Sequence, residues 1–415
     1  MRIALFGAGH IGTTIAGLLA ACGDYRVTVF DRDPAALAPL ANEGIATRVS
    51  ALATRAAIDD ALAGHDAVIN ALPFDRAIEV AQAAAAAGVH YFDLTEDVAA
   101  TRAIRALAHD ARSALMPQCG LAPGFIGIAA HHLAQGFDTL LDLKLRVGAL
   151  PVYPNNALKY NLTWSVDGLI NEYLHPCEAI HDGAHAELQP LEGLERFALD
   201  GVDYEAFNTS GGLGTLCETL AARVRTLDYK SVRYPGHREL MRTLLDDLRL
   251  RDDAATLKAM LRRAVPATMQ DVVLVFVGAS GLRKGALVQD VFVRKVFARA
   301  GTNASTTAGT SVVEKAGDGA LSAIQITTAA GVCTAVDLFR AGHLPQRGFI
   351  RQEQIALPDF LANRFGAAYG GPENAFGKAG SDHVEGGVGK AGSDHIEGGV
   401  GKAGSGHIES QVRSH

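Results

Sequence analysis

Arg2-Ile3-Ala4-Leu5-Phe6-Gly7-Ala8-Gly9-His10-Ile11-Gly12, an Ala/Leu-rich run, and a second apolar stretch ending Val29-Phe30-Asp31 decide the fold of this 415-residue chain. An apolar strand delivers the backbone to a tight turn at Gly7, and Gly9 carries no side chain to block a pyrophosphate. Gly12 lets the following helix lie close on the sheet, and the N–H groups of that helix, opening at His10 and Ile11, face phosphate charge. Asp31 follows Gly7 by 24 residues, about where a carboxylate accepts hydrogen bonds from an adenosine ribose diol. The glycines alone prove little: with 45 of them in the chain, the spacing arises by chance about 0.5 times. Gly387–Gly392 and Gly399–Gly404 match it too, but neither follows a strand or opens a helix. The first match therefore predicts a dinucleotide site.

Outward from that unit, strands and helices alternate: strand near 45–50, helix 55–63, strand 67–71, helix 75–87, strand 90–94, helix 96–113 and strand 114–118. Two βαβαβ halves predict an α/β, Rossmann-type doubly wound parallel sheet over residues 1–120, with ligands at the strand carboxyl ends. Those ends carry Gly7, Asp31, Asn70-Ala71-Leu72-Pro73, Asp93-Leu94-Thr95 and Cys119-Gly120. Beyond residue 121 longer strand-like runs (139–149, 223–231, 271–279, 286–299) predict an α+β substrate domain over 121–341 with a mixed or antiparallel sheet. A last helix near 321–341 precedes a segment, about 342–370, expected to return to the nucleotide domain. From 371 to 415 a 12-residue Gly-Lys-Ala-Gly-Ser repeat holds only isolated Val or Ile. Such a segment cannot bury a core and is expected to be disordered.

A net charge of −7 without a dense basic stretch argues against nucleic acid as a partner. Five scattered cysteines with no CxxC favour reduced thiols in a cytoplasm and give no zinc framework. His131-His132 lack matched ligand spacing, so no metal is expected. Leu19-Ala20-Ala21-Cys22 mimics a lipoprotein signal, but cleavage there would remove the first strand of a complete series. No apolar run is long enough for a membrane span.

Chemistry gathers in four further segments: Met116–Gly124 leaving the last parallel strand, Asn161–Gly168 with the single tryptophan, Thr209–Gly214, and Leu227–His237. Gly7–Gly12, Cys119–Gly124, Trp164-Ser165 and Arg233–His237 together resemble the saccharopine dehydrogenase and lysine 6-dehydrogenase family. The order and spacing agree to about residue 365. The likeness is strongest to the lysine 6-dehydrogenase branch, through Thr209–Gly212 and Asp228–His237. The resemblance implies a pyridine-nucleotide enzyme acting at a C–N bond of a lysine-related amino acid, usually as a homodimer. Cofactor contacts are expected from Gly7, Gly9, His10, Ile11, Gly12, Asp31, Arg32, Asn70, Leu72 and Pro73. Asp31 favours NAD, because it would repel a 2′-phosphate; Arg32 keeps NADP as the minority option.

Oxidation of an amine needs the nitrogen lone pair, yet the lysine side chain is neutral in only about one molecule in 2,500 at pH 7. The site must desolvate the amine or supply a base, and His237, Tyr234 and Lys230 are the expected bases, in that order. Arg233 or Lys230 could hold a substrate carboxylate, and Asp228 or Asp167 its α-amino group. Asp93, Cys119, Trp164 and Ser165 complete the expected substrate contacts. Two alternatives stay open: reductive condensation of an aldehyde with an amine, of the saccharopine or carboxynorspermidine type, and a non-catalytic NAD-binding regulator.

Overall fold

The opening residues form β1 (Arg2–Phe6), a glycine turn and α1 (His10–Ala21) in a computed structural model that describes residues 1–299, 320–370 and 377–378. The alternation continues through β2 (Arg26–Asp31), α2 (Pro34–Asn42), β3 (Ala46–Val49), α3 (Arg55–Leu62), β4 (Ala67–Asn70), α4 (Ala77–Ala87), β5 (His90–Asp93), α5 (Val98–Ala108) and β6 (Ala114–Met116). Side chains with an oxygen acceptor begin three of these helices: Asp33, Thr54 and Asp97 each accept a backbone N–H of the first turn. Asp97 thereby starts α5 two residues later than the periodicity suggests. The strands pair in parallel, in the spatial order β3-β2-β1-β4-β5-β6. This is the doubly wound order, and the reversal between β1 and β4 opens the ligand crevice at the strand carboxyl ends.

A second sheet follows. α6 (Phe125–Ala134) leads into β7 (Thr139–Pro151), α7 (Val166–Leu174), β8 (Cys177–His181), β9 (Ala184–Leu188), β10 (Glu195–Leu199), β11 (Val202–Asn208), α8 (Leu216–Leu220), β12 (Val224–Arg233), α9 (His237–Arg242), α10 (Ala254–Ala264), β13 (Asp271–Arg283) and β14 (Ala286–Phe297). The order β10-β11-β12-β7-β13-β14 is extended by Gly377–Lys378 on β14 and by the β8-β9 hairpin on β12. It is a mixed sheet, because β12 and β7 run parallel while their other neighbours are antiparallel. The four long strands match the apolar runs of the sequence. The four short ones, β8 to β11, carry charged residues at alternate positions and lie at the sheet margin, so no continuous apolar run announces them.

The chain then returns. Ser322 begins α11 (Ala323–Arg340) with a capping box closed by Gln325, and β15 (Gly348–Phe349) adds a seventh parallel strand beside β6 before α12 (Leu357–Ala362). Helix α11, buried almost throughout, packs on α1, and Gln325 Nε2 donates to the His10 carbonyl at 3.2 Å. One apolar cluster runs from Leu5 and Ile15 under the first sheet through Val332 and Val336 to Leu145 and Val275 of the second. Residues 1–379 accordingly form one compact unit. Gly377–Lys378, the first two residues of the repeats, pair with β14 where disorder was expected; the rest of 371–415 lies outside the described residues.

Candidate active site

Gly7 adopts φ 103°, and a Cβ there would sit 2.8 Å from the Ala71 carbonyl oxygen; only glycine lets the turn close on the β4 end. A Cβ on Gly12 would lie 2.0 Å from the Gly7 carbonyl oxygen, so α1 meets the turn backbone to backbone. Gly9 precedes α1 with no side-chain cap, which leaves the helix N-terminus to an anion. Asp31 Oδ2 accepts the Ala8 N–H at 2.7 Å and Oδ1 the Asp33 N–H at 2.9 Å, so this carboxylate braces the glycine turn. Asp31, Arg32, Ser50 and Arg76 line a cavity of about 540 Å³. It shares Gly9, Ala71, Leu72 and Pro73 with a second cavity of about 490 Å³ that includes His10, Ile11 and Gly12. The two adjoining cavities, with the Asp31 carboxylate at one end and an uncapped helix in the middle, have the shape to take an extended dinucleotide. Asn70 lies behind it; its Oδ1 accepts the Leu72 N–H at 3.3 Å and its amide faces Tyr91 Oη at 3.4 Å. It shapes the Leu72-Pro73 wall and is not part of it.

The second cavity reaches across to the mixed sheet, where the period-two alternation of β12 sorts its residues. Tyr229, Ser231 and Arg233 line the cavity beside Val147 and Ala149 of β7. Asp228 and Lys230 point to the opposite face. There Arg146 clamps Glu195 at 2.8 Å and Asp228 at 2.9 Å, and Lys230 Nζ lies 2.7 Å from Glu195. Asp228 and Lys230 are thus both held in one ion-pair network. On the cavity side, Arg233 is buried and makes no salt bridge among the described residues: Nε donates to Tyr173 Oη at 3.1 Å and Nη1 to the Val232 carbonyl at 2.8 Å.

Three sequence expectations for the base are corrected by this placement. His237 is 1% exposed and does not line the cavity. Glu205 accepts the Gly236 and Arg238 N–H groups at 2.9 and 2.8 Å and so fixes the start of α9. His237 Nδ1 is thereby held 2.9 Å from the Leu158 carbonyl and Nε2 3.1 Å from Tyr173 Oη. Burial, helped by the Arg233 charge, pushes the imidazole down to about 3, so it stays neutral. Lys230 is committed to the ion-pair network. Tyr234 stacks on Tyr204 and donates its hydroxyl proton to the Pro151 carbonyl at 2.8 Å. The same strand parity removes Asp228 from the expected substrate contacts.

Two others are displaced for a different reason, since each is spent on holding loops together. The Asp93 carboxylate accepts the Tyr91 hydroxyl and the Gln118 and Thr95 N–H groups at 2.7, 2.8 and 3.1 Å, while burial lifts it to about 6. Cys119 is sealed against the Met116 carbonyl and the Gln352 amide, and burial pushes its thiol up. Trp164, Ser165, Asp167 and Arg233 do line the cavity. Ser165 also caps α7 by accepting the Gly168 N–H at 3.2 Å. The indole of Trp164 lies so close to Gly168 that a Cβ there would approach it to 2.4 Å. Asp167 sits at the rim, bound to Lys258 at 3.2 Å and to Arg262.

Sequence reasoning missed two carboxyls of the wall. Glu96 follows Thr95 at the β5 exit, and Glu172 projects from α7; neither forms a salt bridge among the described residues. Desolvation raises Glu96 to about 7, reinforced by Asp97 and Asp93. It raises Glu172 to about 8 against the pull of Arg233, with Glu96 adding repulsion. A signal for Glu172 existed: it is an acidic residue beside the apolar Val166-Leu169-Ile170-Tyr173 face of a short helix. Glu96 lies one residue past the strand end that the parallel-sheet rule already placed in the crevice.

A dinucleotide groove that opens onto a cavity lined by Arg233, Glu96 and Glu172 is the arrangement of a nicotinamide-dinucleotide oxidoreductase. Residues 3–116 match the model of the saccharopine dehydrogenase NADP binding domain and residues 120–366 that of the saccharopine dehydrogenase C-terminal domain. The chain belongs to the saccharopine dehydrogenase family. Its fold is that of the saccharopine dehydrogenase (L-Glu forming) from Saccharomyces cerevisiae: TM-score 0.68 at 17% identity, covering 86% of this chain and 96% of that one. A probable dehydrogenase from Thermotoga maritima is more distant, at TM-score 0.42 and 12% identity over 88% and 95% of the two chains. A putative myo-inositol dehydrogenase from Sinorhizobium meliloti gives 0.40 and 16% over 82% and 88%.

Proposed function

We propose that the chain oxidises the side-chain amine of a lysine-related amino acid to the semialdehyde, releasing ammonia, with NAD preferred as oxidant. One observation carries this reading: among the described residues the cavity wall holds one buried cation without a salt-bridge partner, Arg233, and two carboxyls without one, the buried Glu172 and the half-buried Glu96. A lysine zwitterion is the complement, with one carboxylate and two ammonium groups. A saccharopine-like substrate, with three carboxylates, would meet a single guanidinium. Val147, Ala149, Leu162 and Ala267 provide apolar wall for a methylene chain.

Glu172 feels the Arg233 charge, so in this reading Arg233 and Glu172 take the α-carboxylate and α-ammonium. Glu96, on the β5 exit beside the dinucleotide groove, faces the side-chain nitrogen. A carboxyl lifted to about 7 is half ionised at neutral pH and accepts a proton from the ammonium, as a general base should. A bound nicotinamide supplies the hydride acceptor. The carbon bearing nitrogen loses hydride, and the nitrogen lone pair forms the C=N bond of an iminium ion. Water adds to that carbon and the C–N bond breaks. One protonated amine, one oxidised dinucleotide and one water thus give aldehyde, ammonium, reduced dinucleotide and a proton. The NAD preference rests on Asp31, whose carboxylate faces the ribose end.

Reduction of NAD by lysine, ornithine, saccharopine and diamines, each without a second organic partner, tests the reading. Turnover of lysine alone supports it. Turnover only of an aldehyde-plus-amine pair with reduced dinucleotide would transfer the function to reductive condensation, and silence on every compound would favour a regulator.

A further inference from the structure

The direction of each hydrogen bond behind Arg233 is forced. A guanidinium only donates, so Tyr173 Oη accepts from Arg233 Nε at 3.1 Å. Among the described residues the hydroxyl proton then has one partner, His237 Nε2 at 3.1 Å, which must be the unprotonated nitrogen. The imidazole proton sits on Nδ1 and is donated to the Leu158 carbonyl at 2.9 Å. Leu158 belongs to the loop that continues into Leu162–Ser165 of the cavity wall. The chain therefore runs from that loop through two neutral groups to the guanidinium. The rings around it leave little play: His237 stacks on Phe207 at 6.3 Å with 9° between planes, and the guanidinium lies 5.3 Å from the Tyr160 ring centre.

We infer that His237 is a positioning residue: through Tyr173 it fixes the rotation of the Arg233 guanidinium, so that Nη2 and the free Nη1 proton point into the cavity as a carboxylate clamp. The inference rests on the reading that Arg233 receives the substrate carboxylate. It gives the histidine a role that its lack of access to the cavity denies it as a base. A neutral histidine suits this task, since a protonated ring would present a second donor to Tyr173 and take away the acceptor of its hydroxyl proton.

The test uses Tyr173→Phe, which keeps the ring and removes the hydroxyl, with His237→Leu and His237→Gln. The glutamine amide can both accept from Tyr173 and donate to Leu158. Two readouts are taken on the protein saturated with reduced dinucleotide, which cannot oxidise the ligand: binding of lysine and of its decarboxylated diamine by calorimetry, and the Nε–H resonance of Arg233, assigned by its loss in Arg233→Lys. The expected result is a 10- to 100-fold fall in the lysine-to-diamine affinity ratio for Tyr173→Phe and His237→Leu, the size of a charged hydrogen bond. Their Nε–H signal should exchange rapidly, and both properties should be largely restored in His237→Gln. An unchanged ratio, or a protected Nε–H in Tyr173→Phe, overturns the inference even if His237→Leu fails to fold. Should the wild type bind neither compound, the substrate reading falls, while the Nε–H signal still decides whether His237 orients Arg233.

Discussion

Replacing Glu172 by Gln should make the protein more stable, increasingly so as pH rises. The carboxyl is 6% exposed and is lifted from 4.5 to about 8, mainly by desolvation. Between those values the folded state holds a proton that the unfolded chain has released, so stability falls as pH rises through this window. At about 1.4 kcal/mol per pH unit, the ionised carboxylate costs on the order of 5 kcal/mol above pH 8 and about 2 kcal/mol at pH 6. Gln has nearly the same shape and never ionises. With an unfolding entropy of about 2.1 cal/mol/K per residue, the full effect over the 379-residue unit corresponds to roughly 6 °C in Tm. Thermal unfolding of the ligand-free variant and wild type from pH 5 to 9 should show a gap that widens to about pH 8 and then levels. A gap independent of pH, or a variant less stable at pH 9, would refute the claim that this carboxyl is held at a cost. The same variant should bind lysine poorly, because the charge that destabilises the empty site is the one proposed to receive the α-ammonium group.

Two further outcomes follow from the same geometry. Glu96→Gln should lower turnover on the amine by on the order of 10²- to 10⁴-fold and abolish the limb of kcat/KM that falls tenfold per pH unit below about 7; a pH profile identical to wild type would remove Glu96 as the base. Asp31→Ala takes the acceptor from the Ala8 and Asp33 N–H groups and a negative charge from the ribose end, so kcat/KM for NAD should drop while relative use of NADP rises. An unaltered NAD/NADP ratio would count against the ribose assignment.

The nucleotide-binding half was legible because its signals are local. Gly12 answers a steric demand of Gly7 a few residues away, and the strand-helix alternation follows from the order of apolar runs. The substrate wall was less legible because it depends on parity and on long-range packing. Leu227–His237 was recognised as rich in chemistry, but the sequence does not state which alternate residues of β12 face inward. Lys230 and Asp228 were therefore read as site residues, although they close an ion-pair network with Arg146 from β7 and Glu195 from β10. Tyr229 and Ser231, one position away, hold the cavity side. His237 was misread as a base for a related cause: an ionisable residue next to Arg233 and Tyr234 looks accessible until α9 folds it under Leu158.

The central claim is that the C–N bond broken is that of the side-chain amine, with Arg233 and Glu172 holding the α-carbon end away from the hydride acceptor. Incubation with NAD and lysine carrying a labelled side-chain nitrogen tests this most directly, with ammonium isotope content compared against dinucleotide reduced. The prediction is labelled ammonium in one-to-one ratio with reduced dinucleotide. Unlabelled ammonium, or reduction without ammonium release, would contradict it.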